Sequence, residues 1–340
     1  MKRRTFLGAA AATMAAPALV QGQAARTLKF IPHANLTVVD PIWTTAYITR
    51  NSGFLIWDTL YGLDESYKPQ PQMVEGHTLE NDDKLWTFTL REGLKFHDGE
   101  PVLARDCVAS IARWAKRDAM GMRLAQLTDE MTVVDDRRFR IRLKRPYGLM
   151  LDSLAKTPSN ALFIMPERVA QTDAFTQIRP EQLVGSGPFT FKHDEYISGS
   201  KVVYERFAGY VPRSSGEPSG TAGPKVVHFD RVEWHIIPDF ATSGAALQSG
   251  EVDWWEVPTA DLRPVLERHR DINVTLTDPL GLISIMRPNH LVAPTNNKKF
   301  RQALVRAVKQ ADYMAAVAGT DQRYWRTRVV GFTPTTPLAT

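Results

Sequence analysis

The sequence predicts a mixed α/β or α+β protein, and three observations support this class. In residues 27–31 and 84–96, apolar side chains alternate with more polar ones, which is the pattern of half-buried strands. Residues 298–319 instead place apolar side chains at helical spacing, and Gly319 is positioned to end that helix. The chain has 340 residues, which is too many for one ordinary hydrophobic core, so two or three domains are expected.

The other elements follow the same two periodicities between turn residues. Turns are expected at Asp40-Pro41, Asp98-Gly99 and Ser198-Gly199, because Pro fixes φ and Gly tolerates positive φ. Residues 213–224 are rich in Gly, Ser and Pro, which predicts a surface loop. Further helices are predicted at 51–63, 103–115 and 239–249, and further strands at 131–143 (two, around Asp135-Asp136), 186–207, 226–238 and 251–257.

The first 24 residues are typical of an export signal. A basic start is followed by an uncharged, Ala-rich run over 8–20 and by small residues that predict cleavage near Ala24. The run is too short to span a membrane. Arg3-Arg4 resembles a twin-arginine signal, with an ordinary secretory signal as the alternative. Cleavage removes three basic residues, so the net charge falls from +5 to +2, and nucleic-acid binding is not expected.

No catalytic, metal or nucleotide motif occurs in the sequence. HExxH, GxSxG, GxxxxGK[ST] and GxGxxG are all absent, so no enzyme activity and no cofactor are expected. His97 lies beside Asp98-Gly99, where a metal or acid–base role competes with a plain turn; we favour the turn. The single cysteine, Cys107, lies in an apolar stretch, where packing is favoured over reactivity.

Five segments in chain order carry a resemblance to a known family. They contain a strand, an Asp-Gly turn and a helix; the lead-in to that strand; a Gly-x-Gly-Pro hairpin; a Gly-Glu-x-Asp block; and an Arg-x-Ala helix. The sequence resembles the extracytoplasmic solute-binding proteins of ABC importers, family 5, which includes dipeptide- and oligopeptide-binding proteins. In the same order, the segments are 84–113, which resembles the family's signature, 60–83, 184–210, 245–258 and 300–319.

The resemblance implies a two-lobed periplasmic-binding-protein fold (type II, large cluster C-like) that closes on its ligand by a hinge motion. Family members are longer, so we expect the chain to be a fragment whose second lobe is truncated. Such a chain should bind its ligand poorly. The implied divisions are a signal peptide (1–24), three segments of lobe I (25–60, 61–176 with the signature, and 177–279), and the start of lobe II (280–340).

The resemblance also nominates ligand-binding residues. The loop after the first strand would line the cleft, where Thr hydroxyls can bond a peptide backbone and Tyr can stack; a plain surface loop is the alternative. Trp254 and Trp255 should point to opposite sides of a strand, so that one is core and the other faces the cleft. The nominated residues are Thr44, Thr45, Tyr47, Met120, Met122, Arg123, Trp254, Trp255, Arg287 and Asn289.

The leading hypothesis is a monomeric periplasmic binding protein that captures a peptide or similar solute and delivers it to ABC permease subunits in the inner membrane. Nickel complexes, opines and sugars stay open as solutes, because the family takes them too. An exported hydrolase is the alternative from another class, and it would require a nucleophile–His pair or a metal cluster. A sensor or chaperone on the same scaffold is the third possibility.

Overall fold

The computed structural model of the chain describes residues 26–278, 281 and 283–327. The predicted signal peptide and its cleavage point lie outside these residues, as do residues 328–340. The described part is a mixture of strands and helices, as the sequence predicts. No helix within it is long and apolar enough to cross a membrane.

The strands and helices follow one another along the chain with their bounds as follows. The strands are β1 (Thr27–Ile31), β2 (Tyr61–Leu63), β3 (Pro69–Pro71), β4 (Val74–Glu80), β5 (Leu85–Leu90), β6 (Thr128–Val133), β7 (Arg138–Leu143), β8 (Phe189–Phe191), β9 (Lys201–Arg206), β10 (Arg231–His235) and β11 (Trp254–Trp255). The helices are α1 (Tyr47–Ile56), α2 (Ala104–Trp114), α3 (Ala119–Leu127), α4 (Met150–Leu154), α5 (Glu167–Ala170), α6 (Phe240–Gln248), α7 (Arg263–Glu267), α8 (Lys298–Ala307) and α9 (Gln310–Ala318).

The larger sheet has five strands in the order β11-β1-β10-β9-β8. β1 is parallel to both of its neighbours, β10 and β11, whereas β10, β9 and β8 are antiparallel in turn. The carboxyl ends of β1, β10 and β11 therefore meet at one edge of the sheet. In open sheets with parallel strands, ligands commonly bind at that edge.

The second sheet is antiparallel, in the order β4-β5-β7-β6, and it carries the signature segment. Strand β7 shows why the sequence forms it: Phe139, Ile141 and Leu143 are buried and alternate with exposed arginines. Helix α2 follows the turn, and the Asp106 carboxylate accepts the Leu103 backbone N–H at 2.8 Å, which caps the first turn.

Three apolar cores hold these elements. The first lies among the four-stranded sheet and α2–α4 and includes the fully buried, free Cys107, which is packed as predicted. The second lies between α1 and the five-stranded sheet, and the third lies among β1, β11, α6 and α7. The first core draws its residues from 42–174 and the second from 30–234, so the two are interleaved along the chain. The lobe boundaries set out above stay a prediction.

The prediction of one continuous helix over 298–319 is wrong. The helix ends at Ala307, Val308 is extended (ψ 120°), and α9 begins at Gln310. Neither helix buries a residue, so packing does not support a long helix here. Val308 is also β-branched, which lowers its helix propensity. Gly319 does end α9, with a positive φ of 82°.

Candidate functional site

The turn at Asp98-Gly99 in the signature segment is joined to a distant part of the chain, residues 185–187, through the side chain of His97. We call these contacts the His97 clamp. The His97 ring accepts the Gly185 N–H on Nδ1 at 3.1 Å, and its Nε2 contacts the Gly187 carbonyl oxygen at 3.0 Å. These partners require the neutral ring protonated on Nε2. Burial lowers the pKa of His97 to about 4, although the Gly187 carbonyl and Asp98 oppose that shift. The interpretation of this turn as scaffold therefore agrees with the structure.

Acidification should destabilise the fold through His97. The folded pKa is depressed from 6.5 to about 4, so the unfolded chain binds the proton first, and stability falls as the pH drops from 6.5 towards 4. The full loss should be about 3–3.5 kcal/mol. Urea unfolding at several pH values measures it. His97→Gln should flatten the profile in this window, whereas a control at the exposed His228, His228→Gln, should not. An unchanged slope in His97→Gln would refute this cause.

The loop after β1 is fixed by a buried ion pair. Arg113 of α2 donates from Nη1 and Nη2 to the two carboxylate oxygens of Asp40 at 3.1 and 2.7 Å. The Arg113 and Asp40 side chains are only 2% and 0% exposed. Asp40 also accepts the backbone N–H of Ile178 at 2.9 Å. The predicted turn at Asp40-Pro41 is thus a fixed point, from which the chain enters α1.

The two tryptophans of β11 point to opposite faces of the sheet, one buried and one exposed, as the sequence predicts. Trp255 is 7% exposed and belongs to the third core, beside Ile31. Trp254 is 46% exposed on the opposite face, where its ring lies 4.8 Å from that of Phe30. Alternation along the strand places Glu256 on the same side as Trp254.

A group of polar and aromatic side chains lies at the carboxyl ends of β1 and β11. Glu256 accepts hydrogen bonds from the His33 backbone N–H and from His33 Nδ1, both at 2.8 Å on the same oxygen. On α1, the Arg50 guanidinium carbon lies 4.2 Å from the centre of the Tyr47 ring. Arg50 and Glu256 interact electrostatically. We call His33, Tyr47, Arg50, Trp254 and Glu256 the edge site.

The pKa values of both Glu256 and Arg50 in the edge site are lowered, which favours the charge of Glu256 and opposes that of Arg50. Burial alone would raise the pKa of Glu256, but the hydrogen bonds from His33 and the charges of His33 and Arg50 leave it below its usual value. Burial lowers the pKa of the Arg50 guanidinium, partly offset by Tyr47 and Glu256. The site thus presents a cation, an anion and two aromatic rings. This set is suited to polar ligand groups and to stacking.

The residues nominated before α1 lie in one short stretch. Thr44 is half-buried and its Oγ1 accepts the Ala46 N–H at 3.1 Å, a local bond that fixes the entry to the helix. Thr45 is exposed, and Tyr47 is 38% exposed within the edge site. Of these three, only Tyr47 contacts another residue of the edge site through its side chain.

The other nominated residues lie elsewhere. Met122 and Arg123 are exposed on α3, while Met120 packs against the first core. Arg287 is exposed, and so is Asn289, whose Oδ1 accepts the Leu291 N–H at 2.9 Å. Within the part of the chain that the structure describes, none of these five has a hydrogen bond, ion pair or ring contact with the edge site. Their role in binding stays a prediction.

Sequence reasoning missed His33, Arg50 and Glu256. Each looks unremarkable in its own segment, and their proximity depends on β1 and β11 being neighbours in the sheet. His33 and Glu256 do have one sequence signal, because each lies within two residues after the end of a strand. Arg50 has no such signal. Among the described residues, no group of three or more His, Cys, Asp or Glu side chains is placed to hold a metal ion.

The family of this chain follows from its comparison with known proteins. The model for the middle region of the bacterial extracellular solute-binding proteins, family 5, matches residues 68–333. The chain belongs to this family. The matched region contains the whole four-stranded sheet and the five-stranded sheet except β1, and it includes the clamp formed by His97.

Two curated relatives are similar over most of the chain. A probable peptide ABC transporter periplasmic-binding protein of Sinorhizobium fredii, y4tO, is 39% identical over 322 residues, which cover 93% of this chain and 59% of the relative. The glutathione-binding protein GsiB of Salmonella typhi is 28% identical, over 92% of this chain and 57% of its own length. The chain therefore spans less than two thirds of the length of either relative.

Solved structures show the same fold. The periplasmic binding protein DppA of Helicobacter pylori, in complex with the peptide STSA, superposes with a TM-score of 0.69 at 22% identity, over 86% of this chain and 58% of that one. A dipeptide-binding protein of Pseudoalteromonas, in complex with Met-Leu, gives 0.66 at 21% identity, over 86% and 59%. The chain thus has the mixed α/β fold of the periplasmic peptide-binding proteins.

Proposed function

We propose that this protein is the periplasmic substrate-binding component of an ABC importer and that it captures a peptide between two lobes for delivery to the membrane permease. The observation that carries the proposal is the edge site, where an exposed Trp254 lies beside a half-buried cation and anion in a solute-binding fold. Binding is achieved by lobe closure and ligand burial, without bond chemistry.

Peptides are favoured over the other solutes by two lines of support. The relatives and solved structures named above include peptide-, dipeptide- and glutathione-binding proteins. Aromatic rings such as Trp254 and Tyr47 suit peptide side chains, and the ions suit peptide termini. Tyr47 and Trp254 bind the ligand directly in this proposal. Of the other nominated residues, Thr44, Thr45, Met122, Arg123, Arg287 and Asn289 stand as further candidates around the cleft, whereas Trp255 and Met120 pack in or against the apolar cores.

Export completes the proposal. The protein reaches the periplasm through its N-terminal signal, by the twin-arginine route, and is cleaved near Ala24. It acts there as a monomer with no enzyme activity. The sequence motif at Arg3-Arg4 supports the route, and the periplasmic-binding names of the relatives support the compartment.

Thermal unfolding with a panel of dipeptides and tripeptides tests the proposal. A peptide that binds the native state should raise Tm by mass action. Trp254→Ala should weaken binding about tenfold, because a stacked aromatic contact is lost. Phe229→Ala is the matched control, since Phe229 is 38% exposed but precedes β10 at the opposite edge of the sheet. Because the chain is expected to bind weakly, the peptides are added at up to about 10 mM, and a panel in which none shifts Tm at that concentration would refute the peptide proposal.

A further inference from the structure

Arg50 is a half-buried cation whose hydrogen-bonding capacity is only partly used. Its Nε and Nη2 both donate to Oδ1 of the neighbouring Asn51, at 3.1 and 2.8 Å. A guanidinium has five N–H donors, so the edge formed by Nη1 and the second N–H of Nη2 keeps its donors. Within the described residues, no carboxylate lies within 4.0 Å of Arg50 to form an ion pair.

The nearby carboxylate is already engaged. Glu256 is held by two hydrogen bonds from His33, which fix it on the β1 side of the site. It interacts with Arg50 electrostatically but forms no hydrogen bond with it among the described residues. Burial makes the charge of Arg50 costly, as the lowering of its pKa shows. Half-buried arginines with an open fork are suited to bidentate carboxylates.

The orientation of Arg50 is fixed from two sides. The Tyr47 ring lies one helical turn earlier on α1 and packs against the guanidinium. Asn51 occupies the opposite, Nε edge of the same group. A guanidinium held in this way loses little further freedom when it binds a ligand, so the geometry favours affinity.

We propose that Arg50 is the ligand's carboxylate-binding residue, through its Nη1–Nη2 edge. This inference rests on the proposed function and narrows its substrate class to ligands with a free carboxylate, such as peptides with an unblocked C-terminus. A ligand whose carboxylate is replaced by an amide loses the charge-assisted pair and binds at least about tenfold more weakly.

The test compares two probe pairs on the whole chain. Met-Leu and its C-terminal amide are titrated by calorimetry into the wild type, Arg50→Gln and Arg50→Lys. Acetate and acetamide are titrated while the Nε–H resonance of Arg50 is followed by NMR. Arg145→Gln is the matched control, because Arg145 is exposed and has no ion pair within the described part of the chain.

The expected result is a preference for the acid over the amide in the wild type and in Arg145→Gln. Arg50→Gln should abolish the preference, and Arg50→Lys should keep only part of it, since Lys lacks the fork. Equal binding of acid and amide, or a preference that survives in Arg50→Gln, would overturn the inference. If neither dipeptide binds but acetate alone shifts Arg50, the peptide function fails and the carboxylate site stands. If acetate has no effect on Arg50 either, both fail.

Discussion

Gly185→Ala should prevent the chain from forming a stable native state. A Cβ at position 185 would lie 1.8 Å from the Ile56 carbonyl oxygen and 2.6 Å from Cε1 of His97. The first contact is with backbone, so no side-chain rotation relieves it. The end of α1 and the His97 clamp would both have to shift, and the expected loss exceeds about 4 kcal/mol.

The matched control for that substitution is Gly148→Ala. An added Cβ at 148 meets nothing within 4 Å and the backbone φ is not positive, so stability should change by less than about 0.5 kcal/mol. Circular dichroism and urea unfolding of both purified variants measure the difference. A Gly185→Ala protein that unfolds at the wild-type urea concentration would show that α1 moves aside at low cost.

Close packing at Gly185 also explains the role of the signature turn. Ile56 ends α1, and its carbonyl oxygen accepts the Gly187 N–H at 2.8 Å. His97 bonds to both glycines of this segment. The turn, the Gly-x-Gly segment and α1 therefore form one unit, although they come from three separate stretches of sequence. Since α1 carries Tyr47 and Arg50, this unit positions these two residues of the edge site.

The sequence predicts those parts of the fold in which local pattern and burial agree. β7 alternates clearly because one face is buried, and the two tryptophans of β11 separate into core and surface for the same reason. The pattern over 298–319 is equally clear, yet α8 and α9 are separate helices. Periodicity alone does not reveal a break at Val308, because no buried contact holds that stretch in one helix.

The edge site is harder to predict, because it is made by strand pairing. β1 pairs in parallel with β11, although the two strands lie far apart in the sequence. This pairing brings His33 within hydrogen-bonding distance of Glu256. Family resemblance indicated the region of Tyr47 and Trp254. It gave no reason to select Arg50, whose distinctive property is a half-buried charge without an ion pair among the described residues. That property exists only in three dimensions.

Arg113→Ala should destabilise the protein by about 3–5 kcal/mol, the second large effect that we expect. The substitution leaves the Asp40 carboxylate fully buried without its cation, while Asp40 still accepts the Ile178 N–H. Urea unfolding measures the loss. The control is Arg270→Ala, because that side chain is 90% exposed beside Asp271, and an exposed ion pair contributes less than about 1 kcal/mol.

A double-mutant cycle separates the pair from its surroundings. Asp40→Asn removes the charge and leaves Arg113 buried without a carboxylate, so it too should destabilise strongly. The combination of Asp40→Asn with Arg113→Met removes both charges at similar volume, and its loss should be clearly smaller than the sum of the losses of Asp40→Asn and Arg113→Met measured singly. Additive losses would show that the two charges act independently. The buried pair would then not be what fixes the loop that leads from β1 to Tyr47 and Arg50.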